Sequence, residues 1–439
     1  MRMTKTVALH TLGCKLNYAE TVTIGKQFLD RGYSVVAFGD PADVTVINTC
    51  SVTERADREC RQLIRRAHRN SRDSIIVITG CYAQLAPEEV ASIDGVHLVL
   101  GTKEKFNIPD YLAVVGHRPS PAVFVSDIDT VNFFGPAFST NAGERTRAYL
   151  KVQDGCDYSC SFCTIPLARG ASRSQNIPTC VSQAQGLVAL GYREIVLTGV
   201  NVGDYGKKGG TSLLELLRQL VQIEGLERIR ISSIEPNLLS SDLLDFVASE
   251  HAMCKHFHIP LQSGDDETLH AMRRRYATRY YRELVHRVKE KIPECGIGAD
   301  VIVGFPGETP TRFESTCSFL TDLPISYLHV FTYSERVDTP AANFSEPVSP
   351  GVRSSRSRVL RNLSRRKRRL FSEQMVGKTV DVLLEGQVDG GTRYGFTDNY
   401  VRVGVPLDGT SENTIVPVTI VEAGDEGCIG RVATGSNES

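Results

Sequence analysis

Residues 154–170 read DGCDYSCSFCTIPLARG. Cys156, Cys160 and Cys163 are separated by three and by two residues, on a short loop that follows an apolar-alternating run at 148–152. Three thiolates this close can share one soft-metal centre, and thiolates are the ligands that iron–sulfur clusters require. No fourth Cys and no His stands at a ligand offset, so a closed zinc site, which takes four ligands, fits poorly. A three-thiolate loop suits a 4Fe-4S cubane with one iron left open for chemistry. Free Cys is a common core residue, but three within eight positions beside Gly155 and Asp157 point to a metal centre.

Upstream of this loop, strand-like runs at 7–12, 44–47 and 75–79 alternate with helical patterns at 18–29 and 54–68. That rhythm implies a parallel sheet covered by helices. Cys14, Cys50 and Cys81 each follow the carboxyl end of a different strand. In an open parallel sheet those ends share one edge, where ligands bind. The topology therefore permits a second three-thiolate site, although three unrelated turn cysteines would give the same pattern. Cys60 falls inside a helical stretch and reads as packing. Residues 119–142 carry scattered Pro, Gly, Ser, Thr and Asn and read as a linker with short extended pieces.

Downstream, six strand-like runs lie at 148–152, 194–198, 228–232, 255–259, 299–303 and 327–332. Six β/α units suit a partial barrel, whose chemistry sits at the carboxyl ends of its strands. Those ends carry the cluster loop, then Gly199-Val200-Asn201, residues 233–236, residues 260–264 and residues 304–308. Each has an ordinary reading as a turn glycine, a surface carboxylate or, for Gln262 and Ser263, a cap of a helix at 265–273. Arg169 and Arg173 flank Gly170 and could pair with a carboxylate or phosphate.

Residues 353–369 hold nine Lys or Arg and no Asp or Glu. Val359, Leu360, Leu363 and Leu370 recur at helical spacing, which predicts a basic amphipathic helix packed on the barrel. On a chain of net charge −1 this is a local polyanion site, with Arg365, Arg366, Arg368 and Arg369 as candidate RNA contacts. Five short strands then follow within about 60 residues, separated by turns such as Asp389-Gly390-Gly391, which predicts a small barrel of the oligonucleotide-binding type. Tyr394, Phe396 and Tyr400 are candidate stacking surfaces for bases. Residues 435–439 read as disordered.

The chain of 439 residues, 41% of them hydrophobic, is long enough for two or three packed domains. Without a signal peptide or a run of about 18 apolar residues, a cytoplasmic protein that does not span a membrane is expected. Twelve cysteines in a reducing compartment are better explained by metal binding than by disulfides.

GCDYSCSFCTIPLARGASRS resembles the cluster loop of the radical S-adenosylmethionine methylthiotransferases, and the resemblance runs over nearly the whole chain. TLGCKLNYAET, INTCSVTERA and ITGCYAQ resemble three segments of that family's amino-terminal domain, and MVGKTVDVLLEG through GRV resembles its RNA-binding TRAM domain. The resemblance implies an amino-terminal parallel α/β domain over 1–142, a partial (β/α)6 core over 143–374 and a TRAM barrel over 375–434. It also implies two 4Fe-4S clusters, one on Cys156, Cys160 and Cys163 and an auxiliary one on Cys14, Cys50 and Cys81. In the family S-adenosylmethionine chelates the open iron of the first cluster and is cleaved there to a 5′-deoxyadenosyl radical. A second S-adenosylmethionine methylates sulfur held at the auxiliary cluster. The implied S-adenosylmethionine contacts are Thr198, Gly199, Asn201, Ser232, Glu235, Gln262 and the backbone near Gly304.

The implied substrate is an adenosine beside the anticodon, presented by a tRNA anticodon stem-loop to a monomeric enzyme. The electron donor would be a protein such as flavodoxin or ferredoxin. The segment around Cys14 is most similar to enzymes acting on N6-threonylcarbamoyladenosine. Alternatives are N6-isopentenyladenosine, an aspartate of a small-subunit ribosomal protein, and a non-enzymatic RNA-binding iron–sulfur sensor.

Overall fold

A computed structural model describes residues 5–115, 120–132, 134–138 and 146–433. The expected disordered tail at 435–439 and the expected domain boundary at 142 lie outside these residues.

The first domain is a parallel sheet of β1 (Thr6–Thr11), β2 (Ser34–Val36), β3 (Val44–Thr49), β4 (Ile75–Gly80), β5 (Leu98–Leu100) and β6 (Ala122–Phe124), in spatial order 2-1-3-4-5-6. Every residue of β3 is buried, as a central parallel strand covered on both faces requires. The sequence reading found β1, β3 and β4 but not the other three. Those are three residues long, too short to carry a period. Residues 122–124, read as part of a linker, are the sheet's edge strand: Val123 and Phe124 pack onto the two apolar clusters of this domain.

The second domain begins with β7 (Arg147–Lys151). The two-residue strands β8 (Gln153–Asp154) and β9 (Arg173–Ser174) then pair antiparallel and close the base of the cluster loop. β10 (Glu194–Thr198), β11 (Arg228–Ile231), β12 (His256–His258), β13 (Gly296–Val303) and β14 (Tyr327–Thr332) follow. They form two parallel three-stranded sheets, β7-β10-β11 and β12-β13-β14, bridged at Ile229–Met253 and Ser233–His258. The result is a six-stranded partial barrel.

Alternation along these strands sorts the side chains. Ala148, Leu150, Ile195, Leu197, Ile229, Phe257, Ala299, Val301, Leu328 and Val330 belong to one apolar core with the surrounding helices. The intervening positions, including Arg147, Lys151, Glu194, Arg230, His256, His258, Asp300 and His329, fall on the opposite, inner face. The lumen is therefore polar. The helix Lys15–Asp30 of the first domain packs against β7 at the open side, where Ala19 joins Tyr149 and Val196 in a small cluster.

The third domain is a closed barrel of β15 (Thr379–Asp389), β16 (Thr392–Thr397), β17 (Arg402–Pro406), β18 (Ile415–Gly424) and β19 (Gly427–Val432), in order 15-16-17-19-18. It closes the lumen at the amino ends of the strands. Arg228 donates to the carbonyls of Phe396 (3.0 Å) and Asp381 (2.8 Å), and Arg230 to that of Asp398 (2.8 Å). Phe396 and Tyr400 stack on each other at 5.0 Å under Arg147, and Tyr400 also meets His256 at 4.7 Å. These two rings, read as base-stacking surfaces, are spent on the domain interface. Tyr394 remains near the surface beneath the Arg402 guanidinium, 3.8 Å away.

The basic helix spans Pro350–Glu373, but its buried face differs from the expected apolar stripe. Val359 and Leu370 are exposed, while Arg353, Arg356, Leu360, Ser364 and Lys367 face inward. Arg353 pairs with Glu335 and Arg356 with Glu308 (2.6 Å). Lys367 donates to the carbonyls of Thr321 and Leu323, at the end of the helix Pro310–Asp322. Long basic side chains bury their stems while their heads find fixed acceptors, so three of the nine charges hold the helix down. No helix among the described residues is long and apolar enough to cross a membrane.

Candidate active site

The loop carrying Cys156, Cys160 and Cys163 is fixed from several sides. The Gln153 amide donates to the carbonyls of Asp154 (3.0 Å) and Gly155 (2.7 Å) and accepts from the Asn201 N–H (2.9 Å). The Cys156 N–H donates to the Gly170 carbonyl (3.0 Å), and the Ser161 hydroxyl to that of Ala271 (2.8 Å). Donors converge on the sulfurs: the Tyr158 N–H on Cys156 (3.4 Å), the Ile165 N–H on Cys163 (3.4 Å) and Arg274 Nη1 on Cys160 (3.1 Å). Burial pushes the Cys163 thiol up to about 12 and the Cys156 thiol to about 11, with the neighbouring sulfurs adding to both rises. Such thiols stay protonated until a metal displaces the proton. Donors aimed at sulfur are what a thiolate cluster uses to spread its charge. All twelve cysteines are free.

Cys14 precedes the helix Lys15–Asp30, Cys50 follows β3, and Cys81 opens the short helix after β4. The three loops meet. Gly13 holds φ +98°, and a Cβ there would lie 2.7 Å from Cys50 Cβ and 2.9 Å from its sulfur. Glycine is therefore needed for both the dihedral and the close approach. Asn17 ties the group by donating to the carbonyls of Leu12 (2.8 Å) and Thr49 (3.0 Å). Burial pushes the Cys50 thiol up to about 12, with Cys81 and Cys14 adding to the rise. Cys60 sits in the apolar cluster, its thiol directed at the Cys50 carbonyl (3.5 Å), which matches a packing role.

The two triads line the two sides of one domain junction. Thr164 Oγ1, next to Cys163, donates to the carbonyl of Ser51, next to Cys50, at 3.5 Å. Behind them lies a buried ion network that spacing could not reveal. Arg169 donates to Glu20 (3.1 Å), Asp154 (2.9 Å) and Asn17 Oδ1 (2.5 Å). Lys105 and Lys151 also pair with Glu20, at 2.7 and 3.0 Å, and Lys151 with Asp154 at 2.6 Å. Burial alone would raise the Glu20 carboxyl, but Arg169, Lys105 and Lys151 overcome it and hold the group well below the usual carboxylate range. With Arg173, 3.5 Å from Asp154, four cations face two carboxylates. The surplus positive charge acts on Cys81, where Arg169 and Lys105 oppose the upward push of burial. A second strap crosses nearby, where Arg336 donates to Asp57 (2.5 Å) and Ser51 (2.7 Å).

Around the top of the barrel, Thr198 Oγ1, Asn201 Oδ1 and Gln262 Oε1 are buried with no hydrogen-bond partner. Buried polar atoms are nearly always satisfied, so three orphans at the carboxyl ends of β10 and of the β12 segment mark where a polar ligand fits. Gln262 also holds φ +73°, a strain typical of functional positions. It does not cap a helix: Asp265 does, accepting from the Thr268 N–H (2.8 Å). Gly199 packs on the Gln153 side chain, and Ser232 is half-buried at the end of β11. Glu235 is paired with Arg274, the same guanidinium that touches Cys160. The Gly304 N–H is taken by Glu308 Oε1 (3.0 Å). Arg274, Arg336 and Glu20 went unnoticed in the sequence, because single charges in ordinary helical or loop contexts carry no local signal.

A closed set of three thiols with sulfur-directed donors, at the mouth of a partial β/α barrel, defines an S-adenosylmethionine radical enzyme. Residues 150–320 match the radical SAM superfamily, and residues 6–101 match the family described as uncharacterized protein family UPF0004. The fold is shared with a radical S-adenosylmethionine methyltransferase from Kitasatospora setae, solved with cobalamin and a [4Fe-4S] cluster bound. The TM-score is 0.60 at 15% identity, over 94% of this chain and 84% of that one. Among curated proteins, the chain is 39% identical to the threonylcarbamoyladenosine tRNA methylthiotransferase of Bacillus subtilis, over 95% of this chain and 94% of that protein. It is 40% identical to the Aquifex aeolicus protein of the same name, over 90% and 96%. It is 32% identical to the tRNA-2-methylthio-N(6)-dimethylallyladenosine synthase of Methylacidiphilum infernorum, over 95% and 92%. The chain belongs to the tRNA methylthiotransferase family of radical S-adenosylmethionine enzymes.

Proposed function

We propose that this enzyme replaces the C2 hydrogen of N6-threonylcarbamoyladenosine in tRNA with a methylthio group. The observation that carries this reading is the meeting of two cysteine triads across one junction, bridged by Thr164 and Ser51. Cys156, Cys160 and Cys163 would hold one 4Fe-4S cluster, and Cys14, Cys50 and Cys81 an auxiliary one. When bound, the first supplies an electron to S-adenosylmethionine and the second a site for sulfur. Thr198, Asn201 and Gln262 offer unsatisfied oxygens to the polar groups of S-adenosylmethionine. Glu235 acts on the site through Arg274. Domain limits at 1–142, 143–374 and 375–434 accompany the reading, as do a TRAM-type third domain, a cytoplasmic monomer and an electron donor of the flavodoxin or ferredoxin kind.

Mass spectrometry of nucleosides provides the test. tRNA from cells lacking this protein is expected to lack one species, 2-methylthio-N6-threonylcarbamoyladenosine, and loss of the dimethylallyl derivative instead would replace the substrate assignment.

Arg274 places a cation 3.1 Å from Cys160 Sγ. A positive charge beside a cluster stabilises its reduced form, since potentials follow net charge and hydrogen bonds to sulfur. Arg274→Met is expected to lower the cluster's reduction potential and slow 5′-deoxyadenosine release at least tenfold, with iron content unchanged. An EPR-monitored redox titration that finds the potential unmoved removes Arg274 from this role.

RNA approach is supported by a cleft of about 1150 Å³ between the first domain and the basic helix. Arg55 and Arg58 line one side, Arg358, Arg361 and Arg365 the other, and Phe331 of β14 forms part of the wall. Arg365 and Arg366 are exposed, Arg368 lies over the Tyr327 ring, and Arg369 is shared with Glu373 and Asp425. Neutralising Arg365, Arg366, Arg368 and Arg369 together is expected to weaken tRNA binding and flatten its log–log salt dependence by about three, at roughly 0.7–0.9 per lost phosphate contact. Fluorescence titrations across a salt series measure it, and an unchanged slope takes the helix out of the footprint.

A further inference from the structure

Among the described residues, Lys15 is a cation of the barrel lumen that has no hydrogen-bond or ion-pair partner. Lys15, the residue after Cys14, opens the helix Lys15–Asp30, and its side chain lies among Arg147, Glu194, Arg230 and Tyr400, with His256 also in electrostatic reach. The other cations of this chamber are engaged. Arg147 pairs with Glu385 (3.0 Å), Arg230 with Glu194 (2.7 Å), and Arg228 donates to two carbonyls of the third domain. The nearby carboxylate of Asp300 accepts from both His258 (2.9 Å) and His329 (3.2 Å) at one oxygen. Arg147, Arg228 and Arg230 thus all have partners, and so do the carboxylates of Glu385, Glu194 and Asp300. Among the described residues none is hydrogen-bonded or ion-paired to Lys15, which keeps access to solvent within the chamber.

Lys15 is solvent-accessible and has no protein partner among the described residues, so it is free to pair with an anionic ligand that enters the chamber. The two tRNA bases named for the relatives differ in this respect. A threonylcarbamoyl group ends in a carboxylate, whereas a dimethylallyl group is uncharged and apolar. In adenine, C2 and C6 flank the same ring nitrogen. A base whose C2 faces the triad of Cys14 therefore carries its N6 substituent past the neighbouring residue and into the lumen. We propose that Lys15 forms the subsite for the carboxylate of the N6 substituent and selects an anionic modified adenosine over a neutral one. This inference rests on the methylthiotransferase reading above. Tyr400 and His256 at the lumen floor limit how far the substituent extends.

The test uses reconstituted full-length enzyme and anticodon stem-loop RNAs carrying N6-threonylcarbamoyladenosine or its primary amide, which keeps the shape and removes the charge. The wild type is expected to bind the acid about tenfold or more tighter than the amide, the range of a charge-assisted hydrogen bond. Lys15→Met is expected to bind the two alike, and Lys15→Arg to retain the preference. An acid–amide ratio near one in the wild type overturns the proposal even where Lys15→Met fails to hold its iron. So does a full ratio kept by an iron-replete Lys15→Met. Turnover separates this from the broader reading: a wild-type enzyme that methylthiolates a dimethylallyl stem-loop and ignores the threonylcarbamoyl one overturns the substrate assignment itself.

Discussion

Changing Cys156, Cys160 and Cys163 together to Ala is expected to reduce 5′-deoxyadenosine release to background, while the Cys14, Cys50 and Cys81 triple variant continues to release it. The contrast follows from where the sulfurs sit. The first triad lies on the loop closed by β8 and β9, beside the orphaned oxygens of Thr198, Asn201 and Gln262. The second belongs to the other domain and to a separate set of loops. Each triple should lower the iron bound after anaerobic reconstitution from about eight per chain to about four, one cubane remaining. Neither should form methylthiolated tRNA. Release of 5′-deoxyadenosine by the Cys156, Cys160, Cys163 variant at the wild-type rate would remove that triad from its role. Loss of all eight irons in either variant would mean that the junction assembles both centres as a unit.

The second large effect is on stability. Arg169→Met should destabilise the holoenzyme by about 3 kcal/mol or more, because it leaves Glu20 and Asp154 buried with less compensating charge. Lys105, Lys151 and Arg173 remain, so the cost sits at the lower end of what breaking a buried pair brings. Arg169→Lys should lose less, keeping the charge while losing the fork that spans Glu20, Asp154 and Asn17. Urea unfolding followed by circular dichroism measures both. A midpoint for Arg169→Met equal to wild type would show that the network relaxes without it. Because Glu20 lies on a first-domain helix and Asp154 and Arg169 flank the cluster loop, the same change should also expose the junction to limited proteolysis.

The basic helix shows how charge and packing share one element. Nine cations within residues 353–369, with Val359, Leu360, Leu363 and Leu370 at helical spacing, suggested an apolar stripe below and a charged face above. The chain instead buries Arg353, Arg356 and Lys367 against Glu335, Glu308 and two carbonyls at a helix end. Counting charges by sequence overstates the positive surface, since it cannot tell which heads meet an acceptor. The aromatic residues of the third domain teach the same lesson: Phe396 and Tyr400 have the composition of a base-stacking surface and the position of an interdomain plug.

Local spacing was enough for the three cysteines of the cluster loop, because ligands within eight residues must lie close whatever the fold. Periodicity was enough for the six barrel strands and the five strands of the small barrel, since alternation is imposed by the side on which each residue is buried. The convergence of Cys14, Cys50 and Cys81 could be reasoned from parallel-sheet topology, but only the folded chain brings Gly13 against Cys50. The sequence was silent on the pairing of Arg169 with Glu20, of Arg336 with Asp57 and of Arg274 with Cys160, and on the isolation of Lys15 in the lumen. Those relations join residues more than 100 positions apart, or depend on a partner being absent, and no periodicity or spacing records a contact that exists only after the domains have docked.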